Sequence, residues 1–190
     1  MLSPAYPTMS PSEVMGASRH SFSDADYGAY RDVLTDHCAA HGVAVRRWVL
    51  MPNHVHLVLV PDPIDALRGA LSKVHRAYAG RIHAHGKRTG HFWQGRFGCV
   101  VMDEPHLLAA LRYVALNPVR TGMVDRADAW RWPSVHALLD PEHGDRMTDT
   151  RPVLDRMPYF AALPASGEDH ERSDAPEIGR QQKSVNSMSI

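Results

Sequence analysis

The chain has 190 residues, two cysteines and a formal net charge of zero from 21 basic and 21 acidic side chains. This length suits one domain with a real hydrophobic core. Two isolated cysteines argue against a disulfide framework and a paired-cysteine metal motif. No segment has the character of a secretory signal or a membrane span, so we expect a soluble, cytoplasmic protein.

The first half of the sequence predicts an irregular start, a helix and a hairpin. Residues 1–20 are rich in Pro, Ser and Met without periodicity. An amphipathic helix is expected from the cap Ser23 to the stop Gly42. Two β-rich segments follow, VAVRRWVLM and HVHLVLV, and the Pro52-Asn53 break between them predicts an antiparallel hairpin. Alternation puts one set of side chains on one strand face, namely His54, His56, Val58 and Val60.

The second half continues as helix, strand and helix. Apolar spacing predicts a long helix ending near Gly86, and HFWQGRFGCVVM predicts a strand bent at its glycines. A further helix is expected to begin at the cap Asp103 and to stop before Pro118. WRWPSVHALL predicts one more short helix, and residues 140–190 have the composition of a disordered tail. This order of elements predicts an α+β fold with helices packed on an antiparallel sheet.

The first candidate site is the pair His54 and His56. Two strand steps separate their Cβ atoms by roughly 6 to 7 Å, which lets both imidazoles reach one metal ion. With 13 histidines in the chain, a chance pair of ordinary surface or core histidines is the competing interpretation. A metal site therefore requires a further ligand.

The helix DEPHLLAALRYVALNP supplies the other candidates. An apolar stripe is expected to face the sheet, and it consists of Leu107, Leu108, Leu111, Val114 and Ala115. Tyr113 falls nearly opposite this stripe, beside small alanines, and Asn117 lies one turn further on. The alternatives are that Tyr113 contacts solvent or another helix and that Asn117 only terminates the helix.

Four motifs together resemble one protein family: LMPNHVHLVL, TGHFWQGRF, LRYVALNPVRTGMV and WRWPS. They are similar to the single-tyrosine HUH transposases of bacteria, the IS200-like transposases, and most of all to the REP-associated tyrosine transposases. The resemblance runs over residues 21–139 and implies a ferredoxin-like antiparallel sheet of the HUH endonuclease type. It implies that His54, His56 and Asn117 are metal ligands and that Tyr113 is the nucleophile.

The resemblance also implies a reaction and a substrate. Mixed nitrogen and oxygen ligands suit Mg²⁺ or Mn²⁺ in the presence of phosphate. Tyr113 is expected to cleave single-stranded hairpin DNA through a covalent phosphotyrosine, which a second DNA 3′-hydroxyl then reverses. Either a monomer or a homodimer is compatible with the resemblance.

The middle third of the chain is strongly basic, which fits binding to DNA phosphates. The predicted DNA-binding residues are Arg68, Lys73, Arg76, Arg81, Lys87, Arg88 and Arg96. Phe92 and Trp93 suit either stacking on unpaired bases or packing in the core.

One departure from the family pattern leaves alternatives open. Members usually open with a central β-strand, and residues 1–20 show no alternation and are interrupted by prolines. The opening strand is therefore expected to be missing. That absence favours a decayed, non-catalytic relative that binds hairpin DNA. A third hypothesis is a structural or hydrolytic zinc protein in which another histidine, such as His106, joins the histidine pair.

Overall fold

The computed structural model describes residues 6–9, 23–63, 65–86, 92–93 and 99–158. Four strands form one sheet: β1 (Tyr6–Met9), β2 (Val43–Leu50), β3 (Val55–Pro61) and β4 (Cys99–Met102). The α-helices are α1 (Asp24–Ala40), α2 (Ala66–Gly86), α3 (Glu104–Arg120), α4 (Val135–Leu139) and α5 (Arg151–Arg156). A short 3-10 helix spans Ala127–Ala129.

The sheet is antiparallel and has the strand order β2-β3-β1-β4. Helices α1 and α2 pack on one face of it, and α3 packs on the other. The predicted α+β class with helices on an antiparallel sheet is confirmed.

The predicted alternation in β3 is also confirmed, and it creates two cores. Val55, Leu57 and Leu59 are buried with α1 and α2. Val58 is buried on the opposite face, with Val60 beside it, in the core that α3 covers. His56 has the same parity as Val58 and therefore lies on the α3 face.

Local sequence signals fix the ends of the helices. Ser23 and Asp26 form a capping box at the start of α1, with the Asp26 N–H donating to Ser23 Oγ at 3.3 Å. Gly42 follows the helix with φ of 68°, a conformation that favours glycine. At the start of α3, the Asp103 side chain accepts the His106 N–H at 3.1 Å.

The prediction that the opening strand is missing is wrong. Strand β1 lies between β3 and β4, with Thr8 opposite Val58 on one side and Val100 on the other. Pro7 lies opposite Val101 of β4, beyond the stretch of β1 that pairs with β3. The proline therefore occupies a locally one-sided part of the strand, where its missing N–H is tolerated. The rest of residues 1–20 lies outside the described residues.

The prediction that α3 stops before Pro118 is also wrong, because the helix continues to Arg120. Proline removes one helical hydrogen bond. Because Pro118 lies near the last turn of α3, the hydrogen bonds that end the helix are still made. The Thr121 N–H donates to the Asn117 carbonyl at 3.1 Å, and the Met123 N–H donates to the Pro118 carbonyl at 2.9 Å. Pro118 itself is buried.

The tail predicted to begin at residue 140 is ordered as far as residue 158. The Asp149 N–H donates to the Val45 carbonyl at 2.8 Å, and the Trp48 indole donates to Thr148 Oγ1 at 3.0 Å. These bonds attach the segment to β2, an outer strand of the described sheet. Polar composition misled the prediction because hydrogen bonds and only a few apolar side chains, with Val153 fully buried among them, hold the segment. Residues 159–190 lie outside the described part.

Two smaller expectations have mixed outcomes. The short helix after Pro133 is confirmed as α4. The predicted strand over HFWQGRFGCVVM is regular only from Cys99 to Met102, and residues 94–98 lie outside the described residues. No helix among the described residues is both long and apolar enough to cross a membrane.

Candidate active site

The histidine pair lies where the β2–β3 hairpin turns. His54 precedes β3 and His56 is its second residue, and their ring centroids are 4.8 Å apart. His56 is buried with 6% of its surface exposed, whereas His54 is half-buried. The His54 Nδ1 lies 2.7 Å from Asn53 Oδ1, which orients that imidazole.

Helix α3 brings both of its candidate residues to His56. The ring centroids of Tyr113 and His56 are 5.3 Å apart at an interplanar angle of 88°. Asn117, one turn on, places Nδ2 3.2 Å from His56 Nε2 and is itself buried. Tyr113, His54, His56 and Asn117 therefore form one cluster across the sheet and the helix, named the catalytic cluster for the role proposed for it below.

The predicted orientation of Tyr113 opposite the buried stripe is wrong. Ala110 and Asn117, its neighbours one turn away on either side, are both buried, and Tyr113 packs at the edge of the α3 core. The expected stripe was drawn from the apolar residues alone. The polar Asn117 is also buried, so the buried face of α3 extends closer to Tyr113 than expected. Tyr113 is partly buried against His56, and Asn117 is buried within α3, which continues to Arg120.

Burial makes His56 a neutral imidazole. Desolvation, with the nearby His54 adding to it, lowers the pKa of His56 to about 3. The Asn117 Nδ2 then donates to an unprotonated Nε2, which puts the ring proton on Nδ1. An unprotonated ring nitrogen is the form of histidine that binds metals.

The side-chain oxygen Oδ1 of Asn117 has no hydrogen-bond partner among the described residues, although it is buried. A buried amide oxygen without a partner costs free energy unless some group satisfies it. It belongs to the same amide whose nitrogen contacts His56. The donor set of two imidazoles and one amide oxygen fits a divalent cation.

Arg120 is a site residue that the sequence analysis missed. Its guanidinium lies 5.1 Å from the centroid of the Tyr113 ring, a cation–π distance. A spacing of seven residues returns to the same helix face, so Tyr113, Asn117 and Arg120 line one stripe of α3. This seven-residue spacing from Tyr113 is the feature of the sequence that could have identified Arg120.

The predicted basic residues are not part of this cluster. Arg68, Lys73, Arg76 and Arg81 are exposed on α2, which packs on the sheet face opposite to α3. Lys87, Arg88 and Arg96 lie outside the described residues. DNA binding by these seven side chains stays a prediction.

Phe92 and Trp93 pack against the hydrophobic core, which is one of the two interpretations that the sequence left open. Phe92 is buried at 4% exposure, and Trp93 is half-buried against the same core. The Trp93 indole donates to the His75 carbonyl at 3.0 Å, and its ring stacks on the His75 ring at 4.2 Å.

His106, the third ligand suggested by the zinc hypothesis, lies far from the histidine pair. His106 is exposed and caps the start of α3 with Asp103, 11 residues before Asn117 or about 16 Å along the helix axis. Among the described residues, no group of three His, Cys, Asp or Glu side chains has the arrangement of a metal site.

A comparison with protein families decides the identity of the chain. The family described as "Transposase IS200 like" matches residues 13–117, more than half of the chain. The chain belongs to the IS200-like transposases. A transposase role and action on DNA follow from this membership, and the resemblance inferred from the motifs is confirmed.

One solved structure supports the fold, and a second aligns less well. A REP-associated tyrosine transposase bound to a REP hairpin aligns with a TM-score of 0.61 at 18% identity, covering 73% of this chain and 81% of that one. At this identity the likeness shows the fold alone, and it supports the HUH type. A Deinococcus radiodurans protein described as a candidate transposase aligns with a TM-score of 0.39 at 20% identity, covering 60% of this chain and 90% of that one.

Proposed function

We propose that this IS200-like transposase cleaves and rejoins single-stranded hairpin DNA through a covalent phosphotyrosine at Tyr113, with a divalent cation. The contact of both Tyr113 and Asn117 with His56 carries this proposal. A phenol, two imidazoles and an amide have converged from two elements that are far apart in sequence. The solved relative that holds a REP hairpin supports hairpin DNA as the partner.

His54, His56 and Asn117 would hold the cation, Mg²⁺ or Mn²⁺ by the nature of the ligands. The buried Asn117 oxygen without a partner and the neutral His56 both support this fit. A bound divalent cation neutralises charge on the non-bridging oxygens of a phosphodiester.

In this proposal Tyr113 is the nucleophile. Its hydroxyl loses its proton as the oxygen attacks phosphorus, the P–O3′ bond breaks, and the released 3′ oxygen takes a proton. The phosphotyrosine conserves the energy of the diester, so a second DNA 3′-hydroxyl joins to the strand by the reverse step. Strand transfer then needs no nucleotide cofactor.

The alternative of a decayed, non-catalytic DNA-binding relative rested on a missing opening strand. Strand β1 is present and pairs on both sides within the sheet. The expected absence of the opening strand therefore no longer supports this alternative.

The test uses a labelled oligonucleotide with a hairpin from beside the gene, incubated with Mn²⁺ or Mg²⁺ and resolved on a denaturing gel. We expect a protein-linked DNA band with the wild-type chain and none with Tyr113→Phe or after EDTA. Tyr113→Phe keeps the ring that packs on His56, so its thermal unfolding should match the wild type. Hairpin binding without any adduct would contradict the proposal and support the non-catalytic alternative.

A further inference from the structure

Arg120 is the last residue of α3 and lies on the side of that helix that carries the catalytic cluster. Its guanidinium is 5.1 Å from the centroid of the Tyr113 ring. Side chains of a helix lean towards its N-terminus, so Arg120 reaches back past the turn that carries Asn117. Because arginine is always charged, the catalytic cluster has a permanent positive charge at its edge.

The Tyr113 ring has two neighbours of different character. His56 meets it at an interplanar angle of 88° with 5.3 Å between ring centroids, and the Arg120 guanidinium lies over the ring. His56 is buried, Tyr113 is half-buried and Arg120 is exposed. The cluster therefore runs from a buried neutral imidazole to a cation in contact with solvent. A phosphate that comes from solvent finds Arg120 on the accessible side of Tyr113.

A guanidinium can contact an aromatic ring and bind a phosphate at the same time. Its flat face rests on the ring, while its N–H donors lie in its own plane and point towards an anion. A lysine ammonium is a compact point charge without this flat fork. Attack requires phosphorus about 3 to 3.5 Å from the phenol oxygen. A phosphate placed in this way lies at the edge of the ring that Arg120 covers.

We infer that Arg120 is a further catalytic residue, which donates hydrogen bonds to a non-bridging oxygen of the phosphate that Tyr113 attacks. This inference rests on the proposed function. As the phenol oxygen attacks, negative charge is shared among the non-bridging oxygens, and a cation that is already in place stabilises it. Arginine stays protonated in proteins, so Arg120 contributes charge and hydrogen bonds but accepts no proton.

The first measurement is hairpin binding by the full chain in EDTA, with Tyr113→Phe as the background so that no strand is cleaved. Phenylalanine keeps the ring that Arg120 covers. Oligonucleotides carry an uncharged methylphosphonate at each single-stranded linkage in turn, and Kd values are compared with and without Arg120→Gln. Arg112→Gln is the matched control, because Arg112 is also exposed on α3 but lies about 100° around the helix from Tyr113.

One linkage should show coupling to Arg120. There, the methylphosphonate and Arg120→Gln should each weaken binding by roughly three- to thirtyfold, the range for a charged hydrogen bond at an exposed site. The two changes together should cost no more than either alone, since both delete the same contact. At every other linkage the two losses should add. Arg112→Gln should show no coupling to any linkage.

The second measurement is the rate of adduct formation by the chain with Tyr113 intact, at saturating DNA and Mn²⁺. Arg120→Gln should slow this rate by roughly ten- to a thousandfold, as the loss of a preorganised donor to a developing charge does. Arg120→Lys should recover part of the rate, because it keeps the charge without the flat fork. Arg112→Gln should react at the wild-type rate. The coupled linkage should be the one that is cleaved.

Additive losses at every linkage would overturn the inference, as would coupling at a linkage other than the one that is cleaved. A slower rate without coupling would also refute the phosphate contact and leave Arg120 only a positioning residue for the Tyr113 ring. Because Arg120 is exposed, its variants should unfold near the wild-type temperature. An adduct without coupling refutes the role of Arg120 alone, and coupling without an adduct refutes only the cleavage.

Discussion

His75 is a buried histidine on α2 that takes no part in the catalytic cluster. It is 8% exposed and stacks on Trp93, and burial lowers its pKa to about 4 from an ordinary value of 6.5. An unfolded chain protonates this side chain at a higher pH than the folded chain does. The stability that the neutral form contributes is complete above pH 6.5 and is lost as the pH falls towards 4.

The substitution His75→Gln should remove this part of the acid sensitivity. Between pH 6.5 and 4 the unfolding free energy of the wild type should fall by up to about 3 kcal/mol more than that of the variant. Urea unfolding at several pH values measures it. His85→Gln, at an exposed position of the same helix, controls for the general effect of the replacement. Parallel pH profiles for wild type and His75→Gln would contradict the prediction.

The candidate site was predictable residue by residue, but not as an arrangement. The two-residue spacing of His54 and His56 within a strand fixes their common face by itself. The contact between His56 and Asn117 joins positions 61 residues apart. Nothing in the local spacing specifies it, since it depends on how α3 crosses the sheet. Arg120 was missed because the analysis of α3 ended at Pro118.

Among the helix and strand ends, the turn from α1 into β2 is tightly constrained at Gly42. Its φ is 68°, and a Cβ at this position would lie 2.5 Å from the Asp62 carbonyl oxygen. The same turn is closed by the Asp62 N–H, which donates to the Gly42 carbonyl at 2.9 Å. Any side chain at Gly42 would push the end of β3 away from α1.

Gly42→Ala should therefore destabilise the chain by about 3 kcal/mol, from the left-handed backbone and the clash together. Gly122→Ala is the matched control, because Gly122 has φ of 69° but no described atom within 4 Å of its added Cβ. It should cost about 1 kcal/mol from the backbone alone. Urea unfolding of both variants decides the matter, and equal losses would show that the carbonyl moves away freely.

The elements that periodicity predicted well are those with many apolar side chains. Helices α1 and α2 and the hairpin were found because each buries a stripe or an alternating face. Strand β1 has four residues and a proline, so only its pairing with β3 and β4 defines it. Such pairing is tertiary information, which a local pattern does not contain.

For the whole molecule, the sheet separates two groups of side chains. Its α3 face carries the catalytic cluster, and its other face carries α1 and α2 with the exposed basic side chains. The two sides meet at the hairpin end, where His54 and Tyr78 of α2 line one small recess. DNA that reaches Tyr113 from this end passes the last turns of α2 and not its first turn.

Position along α2 should therefore decide how much each arginine contributes to DNA binding. Arg81 lies one turn beyond Tyr78, whereas Arg68 lies ten residues before it, or about 15 Å along the axis. That separation exceeds the Debye length of about 10 Å at moderate salt. Arg81 is thus the nearer of the two to the hairpin end, and Arg68 is screened from a phosphate bound there.

Arg81→Gln should weaken hairpin binding and reduce the slope of log K against log salt by about 0.9, the contribution of one phosphate contact. Arg68→Gln should change the slope by much less, and both variants should form adduct at the wild-type rate once DNA is saturating. Affinity titrations at four salt concentrations measure the slopes. Equal slopes for the two variants would mean that the hairpin lies along the whole of α2. A larger effect of Arg68→Gln would mean that DNA enters from the opposite end of the sheet.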